Sequence, residues 1–148
     1  MKTSKLFGRV EDGNVREVAR CYVRAFCTNG WTEEQAEKRI RSFYAHPLFR
    51  GYVKREGENG RVICAAFGIV QWYYNGPRYL LTDFFTVPEC QDMGHGTSLM
   101  DFVARSLREE EVRQIQLISL QDEHHEHFYN DKNGFSTRSD LCVKCLSL

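Results

Sequence analysis

Gly94 and Gly96 stand one residue apart between an apolar run, Tyr79 to Val87, and a segment with Leu99, Val103 and Leu107 at four-residue intervals. The first pattern predicts a strand and the second an amphipathic helix, so the glycines fall at a helix N-terminus. Amide N–H groups there lack intrahelical acceptors. With the positive end of the helix dipole they suit an anion such as a phosphate or pyrophosphate. Glycine keeps the backbone clear of any Cβ that would block a close approach. The spacing is not the dinucleotide fingerprint, because Leu99 stands where its third glycine belongs, and no Gly-Lys-Ser/Thr phosphate loop is present. A second residue with chemistry is Asp83, which interrupts Tyr79-Leu80-Leu81-Thr82-Asp83-Phe84-Phe85. A carboxylate in a strand covered on both faces is costly unless something pairs with it.

Other groups of ligand type do not assemble by spacing. Cys142 and Cys145 form a single C-x-x-C inside the apolar run Leu141 to Leu148, whereas structural zinc wants four ligands. That run reads as a strand. His124, His125 and His127 have no carboxylate or cysteine at a familiar ligand spacing. No metal is expected, and the six cysteines read as reduced thiols of a cytoplasmic protein. The 148 residues favour one domain over 1–148. Twenty Lys and Arg balance twenty Asp and Glu, which argues against a nucleic-acid partner. The longest mostly apolar stretch, Val62 to Tyr74, is too short to span a bilayer, and no charged-then-apolar leader opens the chain. A soluble protein with no membrane partner is expected.

The elements that must position these residues are readable in order. Residues 5–10 predict an opening strand. Asn14 with Glu17, and Thr32 with Gln35, resemble capping boxes. Behind the first, Val15, Val18, Ala19, Tyr22, Ala25 and Phe26 share one helical face; behind the second, Ala36, Ile40, Phe43 and Tyr44 do, and Pro47 ends that helix. Three strands follow, turned by residues 56–60 and by Asn75-Gly76-Pro77. The Gln91–Gly96 loop opens a helix, Ile115 to Leu120 is a strand, and His124 to Lys132 is a helix capped by Asn133-Gly134. Phe135 onward returns to strand. The order β-α-α-β-β-β-α-β-α-β describes a mixed α/β layer fold.

With these elements in place, Gln91-Asp92-Met93-Gly94-His95-Gly96 resembles the Q/R-x-x-G-x-G/A motif of the GNAT superfamily of acetyl-CoA-dependent N-acetyltransferases. Phe128-Tyr129 followed by Gly134-Phe135 resembles that family's late aromatic-Tyr and Gly-Phe signature, and Thr82 to Glu89 resembles its fourth strand. The likeness is specific from about Leu80 to Phe135. It implies a GNAT fold, a mixed and mostly antiparallel sheet of six to seven strands flanked by about four helices. It implies acetyl-CoA as cosubstrate, with Phe85, Thr86 and Val87 along the pantetheine arm. Gln91 and the loop Met93, Gly94, His95, Gly96, Thr97 and Ser98 would hold the pyrophosphate. Two departures stand out. Asp92 and Met93 occupy positions that are often basic in the family, and His95, read here as a solvent-facing residue, is usually a small aliphatic.

The resemblance also implies proton carriers for amine acetylation. Asp83 is the candidate base; the alternative is a carboxylate hydrogen-bonded for structural reasons alone. Tyr129 is the candidate acid for the departing thiolate, against the alternative of a packed core aromatic. Counting forward from Ile115 selects Tyr129. Counting back from Gly134 selects Asn130, because the chain carries one extra residue in between. The forward count keeps the aromatic pair. The acceptor, a small-molecule or peptide amine, would lie over residues 26–45, where Trp31, Glu33, Glu34 and Glu37 stand; acids in a first helical turn are also ordinary dipole complements. Monomer and homodimer both stay open. The rival readings are a GNAT-fold module that senses acyl-CoA without turnover and an unrelated nucleotide-binding α/β domain.

Overall fold

A computed structural model describes residues 6–148. The chain packs as two units, Met1–Ile118 and Ser119–Leu148. In the first, β1 (Phe7–Arg9) leads to α1 (Val15–Ala25) and α2 (Glu33–Tyr44). Three long strands follow, β2 (Phe49–Arg55), β3 (Val62–Tyr73) and β4 (Gly76–Thr86), and then α3 (His95–Glu109) and β5 (Gln114–Leu117). Lys5, the first residue of the expected opening strand, lies outside the described residues.

The helices begin where local chemistry dictates, with one shift. Thr32 Oγ1 accepts from the Gln35 N–H at 3.1 Å and Gln35 Oε1 accepts from the Thr32 N–H at 3.0 Å, closing the box expected before α2. The first box is displaced by three residues. Asn14 Oδ1 accepts from the Glu11 N–H at 2.8 Å and its Nδ2 donates to the Arg9 carbonyl, so Asn14 closes a box with Glu11 rather than opening one with Glu17. α1 buries Val15, Val18, Ala19, Cys21 and Tyr22, and α2 buries Ala36 and Ile40.

The sheet runs β1-β2-β3-β4-β5, antiparallel throughout except for the parallel β4–β5 pair. It has five strands among the described residues, not the six to seven expected. The missing strand is the C-terminal one. Leu141, Val143, Leu146 and Leu148 are exposed, and Cys142 and Cys145 are exposed free thiols. Alternating apolar residues make a strand only where a neighbouring edge supplies pairing and burial.

An irregularity in β4 governs what lies beyond it. Phe67 pairs with Asp83 but Gly68 pairs with Leu81, so Thr82 is an extra, bulged residue. Its Oγ1 donates to the Phe67 carbonyl at 3.0 Å. Opposite the bulge the two backbones approach so closely that a Cβ on Gly68 would run into the Leu80 carbonyl. The β4–β5 ladder extends from Arg78↔Gln114 to Leu81↔Leu117 and stops at the bulge, while β4 continues along β3 to Thr86.

The second unit contains α4 (Glu123–Glu126), running into a π-helical turn, His127–Lys132. Asp122 caps it, accepting from the His125 N–H at 2.8 Å.

Because the Gly68 site meets backbone rather than a movable side chain, Gly68→Ala should destabilise the protein by about 3 kcal/mol. Thermal unfolding should show a fall in Tm on the order of 10 °C. Gly13→Ala, where an added Cβ meets nothing within 4 Å, should change Tm little by comparison.

Candidate functional site

The loop between β4 and α3 is built by a turn, a hydrogen bond and two left-handed residues. Pro88–Cys90 forms a short 3-10 turn, after which Gln91 is extended and its Nε2 donates to the Thr86 carbonyl at 3.1 Å. Asp92 (φ 60°) and Gly94 (φ 86°) then reverse the chain into α3. Gly94 is the N-cap residue and supplies no side-chain cap to the first helical turn. Space beside it is open, since an added Cβ would meet nothing within 4 Å. Glycine is therefore demanded here by the positive φ rather than by crowding in the protein itself. Amides at an uncapped helix start beside open space fit an anion.

The surroundings of that turn are more structured than the sequence suggests. Lys54 Nζ, from β2, donates to Ser98 Oγ at 2.6 Å, and Ser98 Oγ donates to the His95 carbonyl at 2.9 Å. His95 is half-buried rather than solvent-facing, and its Nδ1 has no hydrogen-bond partner. Burial, and then the Lys54 charge, lower its pKa. Met93 is 67% exposed. Glu89, just before the loop, is gripped by Arg24 of α1 at 2.6 Å and by Arg61 at 2.9 Å.

Asp83 sits on the face of β4 turned toward α1 and α2, with its side chain only 5% exposed. Arg39 of α2 holds it with both tines of the guanidinium, Nε to Oδ2 at 2.9 Å and Nη2 to Oδ1 at 2.8 Å. That bidentate bond raises the Arg39 pKa further. Tyr22 faces the same pair; burial first, and the Asp83 carboxylate next, push its phenol pKa well up. Around them Tyr22 packs against Phe26, Trp31, Phe67 and Phe85. Phe85 pairs with Ala65, and the Val87 N–H donates to the Ile63 carbonyl, so the backbone groups of residues 85 and 87 point to β3. Of the three expected pantetheine contacts only Thr86 turns its backbone away from β3. The acids expected to attract an amine are largely taken: Glu33 lies 3.6 Å from Arg20, and Glu37 lies 2.8 Å from Arg41.

Within the second unit, the π turn is one residue wider per turn than an α-helix. Phe135 N–H donates to the Tyr129 carbonyl at 3.0 Å, and the Tyr129 ring packs on Phe128 and Phe135. Asn130 Nδ2 donates to Thr137 Oγ1 at 3.0 Å. Gly134 (φ 75°) closes the segment, as expected. Carboxylates do stand beside the histidines, with Asp122 on His125 and Asp131 on His127, although no group of three ligands that could hold a metal occurs among the described residues.

Comparison with known proteins turns this arrangement into an assignment. Residues 15–135 match the sequence model of the acetyltransferase (GNAT) family. The chain belongs to the GNAT acetyltransferase family. Solved structures share its fold. A GNAT family acetyltransferase from Staphylococcus aureus is 14% identical, with a TM-score of 0.75 over 97% of this chain and 100% of that one. The aminoglycoside N-acetyltransferase AAC(6')-Iy, in complex with CoA, is 12% identical with a TM-score of 0.75, covering 96% of this chain and 94% of that one. An aminoglycoside acetyltransferase from an uncultured soil metagenomic sample, in complex with sisomicin, is 11% identical with a TM-score of 0.79, over 96% and 95%. A search of curated proteins by sequence finds no match.

For this GNAT chain, sequence reasoning missed Arg39 and Lys54, whose partners Asp83 and Ser98 each lie 44 residues away. The only hint of Arg39 was Asp83 itself, an acid in an apolar strand that demanded a cation from somewhere.

Arg39→Met should cost about 3 kcal/mol, because it strands a buried carboxylate. Asp83→Asn leaves a partly exposed guanidinium that can turn to water, and should cost about 1 kcal/mol. Chemical denaturation of the two variants checks the inequality. Glu89 provides a pH test. Its bonds to Arg24, to its own backbone N–H and to Arg61 pull its pKa from 4.5 down to about 2. A depressed carboxylate contributes stability that is fully present above its unfolded pKa and is lost as pH falls through the folded value. Wild type should therefore lead Glu89→Gln in Tm at pH 6, and the gap should close between pH 4.5 and 2.

Proposed function

We propose that this protein transfers an acetyl group from acetyl-CoA to a primary amine of a small molecule or peptide, with 1–148 working as one cytoplasmic acetyltransferase domain. The observation that carries the reading is the uncapped start of α3 behind left-handed Gly94, placed beside a β4 strand whose pairing with β5 ends at Leu81. Pyrophosphate oxygens accept from the first-turn amides, and Gln91 braces the loop against Thr86. The pantetheine arm runs along β4 beyond the bulge, where Thr86 turns its backbone outward. The CoA and sisomicin complexes of the structural neighbours support a small-molecule amine over a peptide. Six free thiols suit a reducing cytoplasm.

The acceptor nitrogen attacks the thioester carbonyl as a neutral amine, since its lone pair forms the new C–N bond. Asp83 takes the proton. Arg39 engages one lone pair on each of its oxygens, so the proton arrives on the remaining ones or through a water. The tetrahedral intermediate then expels the CoA thiolate, and on this reading Tyr129 is its proton donor. A second reading, an acyl-CoA sensor without turnover, draws support from the same ion pair, which gives Asp83 a structural job independent of catalysis.

One set of measurements tests both readings. Saturating CoA should raise Tm by roughly 5–10 °C, from about 2.7 kcal/mol of linkage at 100 times Kd, and Gly94→Val should abolish the rise. Turnover of acetyl-CoA over an amine panel should be present in the wild type and fall on the order of 10²-fold in Asp83→Asn at pH 7. Binding without turnover would establish the sensor; an unchanged Tm would remove the CoA reading altogether.

A further inference from the structure

Lys54 is placed where a cation is electrostatically unwelcome. Its ammonium sits against the first turn of α3, 2.6 Å from Ser98 Oγ, at the end of the helix that carries the positive partial charge. Arginines close to it in the chain find acids: Arg55, next to it on β2, binds Glu17, and Arg61, just before β3, binds Glu56 and Glu89. Among the described residues no carboxylate pairs with Lys54; it contacts a hydroxyl and overlies the Phe7 ring at 5.5 Å. Its charge is felt nearby, since after burial it is the next cause that lowers the His95 pKa. Ser98 Oγ spends its proton on the His95 carbonyl, so it accepts from Lys54 and leaves two ammonium N–H groups for another partner. Meanwhile Gln91 to Gly94 contains no cation, and Asp92 adds a negative charge.

We propose that Lys54 is a phosphate ligand of the bound cosubstrate. Reaching from β2 to the first turn of α3, it donates directly to a pyrophosphate oxygen and supplies the positive charge that the loop lacks. The inference rests on the acetyl-CoA reading above and extends it to a residue outside the loop. It accounts for the juxtaposition of like charges: a cation and a helix N-terminus that repel one another in the free protein converge on one anion in the complex.

The test compares CoA, dephospho-CoA (which lacks the 3′-phosphate) and S-acetylpantetheine (which lacks all phosphates) on wild type, Lys54→Met and Lys54→Arg, by calorimetry and melting. Lys54→Met should weaken CoA and dephospho-CoA alike, by on the order of 10- to 100-fold, the size of a lost charged hydrogen bond. S-acetylpantetheine should bind both proteins equally, Lys54→Arg should recover most of the affinity, and ligand-free Lys54→Met should melt no lower than wild type. A variant that fails to fold, melts well below wild type or loses all three ligands in parallel makes Lys54 a structural residue and overturns the proposal. Loss of CoA affinity with dephospho-CoA unaffected moves the contact to the 3′-phosphate and overturns the pyrophosphate assignment. Unchanged CoA affinity in Lys54→Met overturns the proposal while the acetyl-CoA reading stands. Failure of wild type to bind CoA sinks that reading instead.

Discussion

Strand β4 has to satisfy two neighbours that make different demands. It must stay in register with β3 as far as Thr86, because β3 is the buried centre of the sheet, yet it must leave β5 after Leu81. One inserted residue, Thr82, reconciles them. The bulge bends and twists the strand, Thr82 Oγ1 occupies the Phe67 carbonyl, and Gly68 removes the one side chain that would hold the strands apart. The same residue sets the phase of the strand beyond it. After the bulge, Asp83 and Phe85 face the α1–α2 layer, while Thr86 turns its backbone away from β3 in the plane of the sheet. Were Thr82 an ordinary ladder residue instead, strict alternation from Leu81 would turn Asp83 to the other face.

Charge around the candidate site is arranged by pairing rather than by excess. The chain is neutral overall, and arginines bind the acids that an exposed reading would leave free for a cationic substrate: Arg20 on Glu33, Arg41 on Glu37, Arg39 on Asp83. Most of these are surface pairs worth little in stability. Arg39–Asp83 differs because the carboxylate is buried and held at two points, which fixes the orientation of α2 over β4 as well as the carboxylate itself. Lys54 stands outside this scheme, a cation near the loop with a hydroxyl in place of an acid.

Features set by contiguous residues were legible in the sequence. The Thr32–Gln35 box, the Gly94 turn and the Gly134 cap each depend on a few neighbours, and all three formed as read. Asn14 shows the limit even there. Its side chain had a competing choice three residues upstream, and propensity alone does not say which backbone N–H it will take. Contacts across 44 residues, Arg39 with Asp83 and Lys54 with Ser98, depend on which elements become neighbours, and no local pattern names the partner. The C-terminal segment failed for a related reason: the apolar run Leu141 to Leu148 describes composition, and a strand also needs an edge to pair with.

The late aromatic pair lies in a π-helical turn. Between Tyr129 and Gly134 the chain has one residue more than the family pattern, so forward and backward counts name different residues. An α-helix would pass that surplus on as a rotation of about 100°. A π turn instead absorbs one residue by widening, and such a turn spans His127–Lys132, which includes Phe128-Tyr129 and ends before Gly134. The Asn133 side chain donates to the Phe128 carbonyl at 2.6 Å, and the Phe135 N–H closes on the Tyr129 carbonyl, so the widened turn is fastened at both ends. Asn130, the residue named by the backward count, is committed to Thr137. An amide in that position can hydrogen-bond but cannot deliver a proton to a thiolate, so of the two residues only Tyr129 has the chemistry the reaction would ask of it.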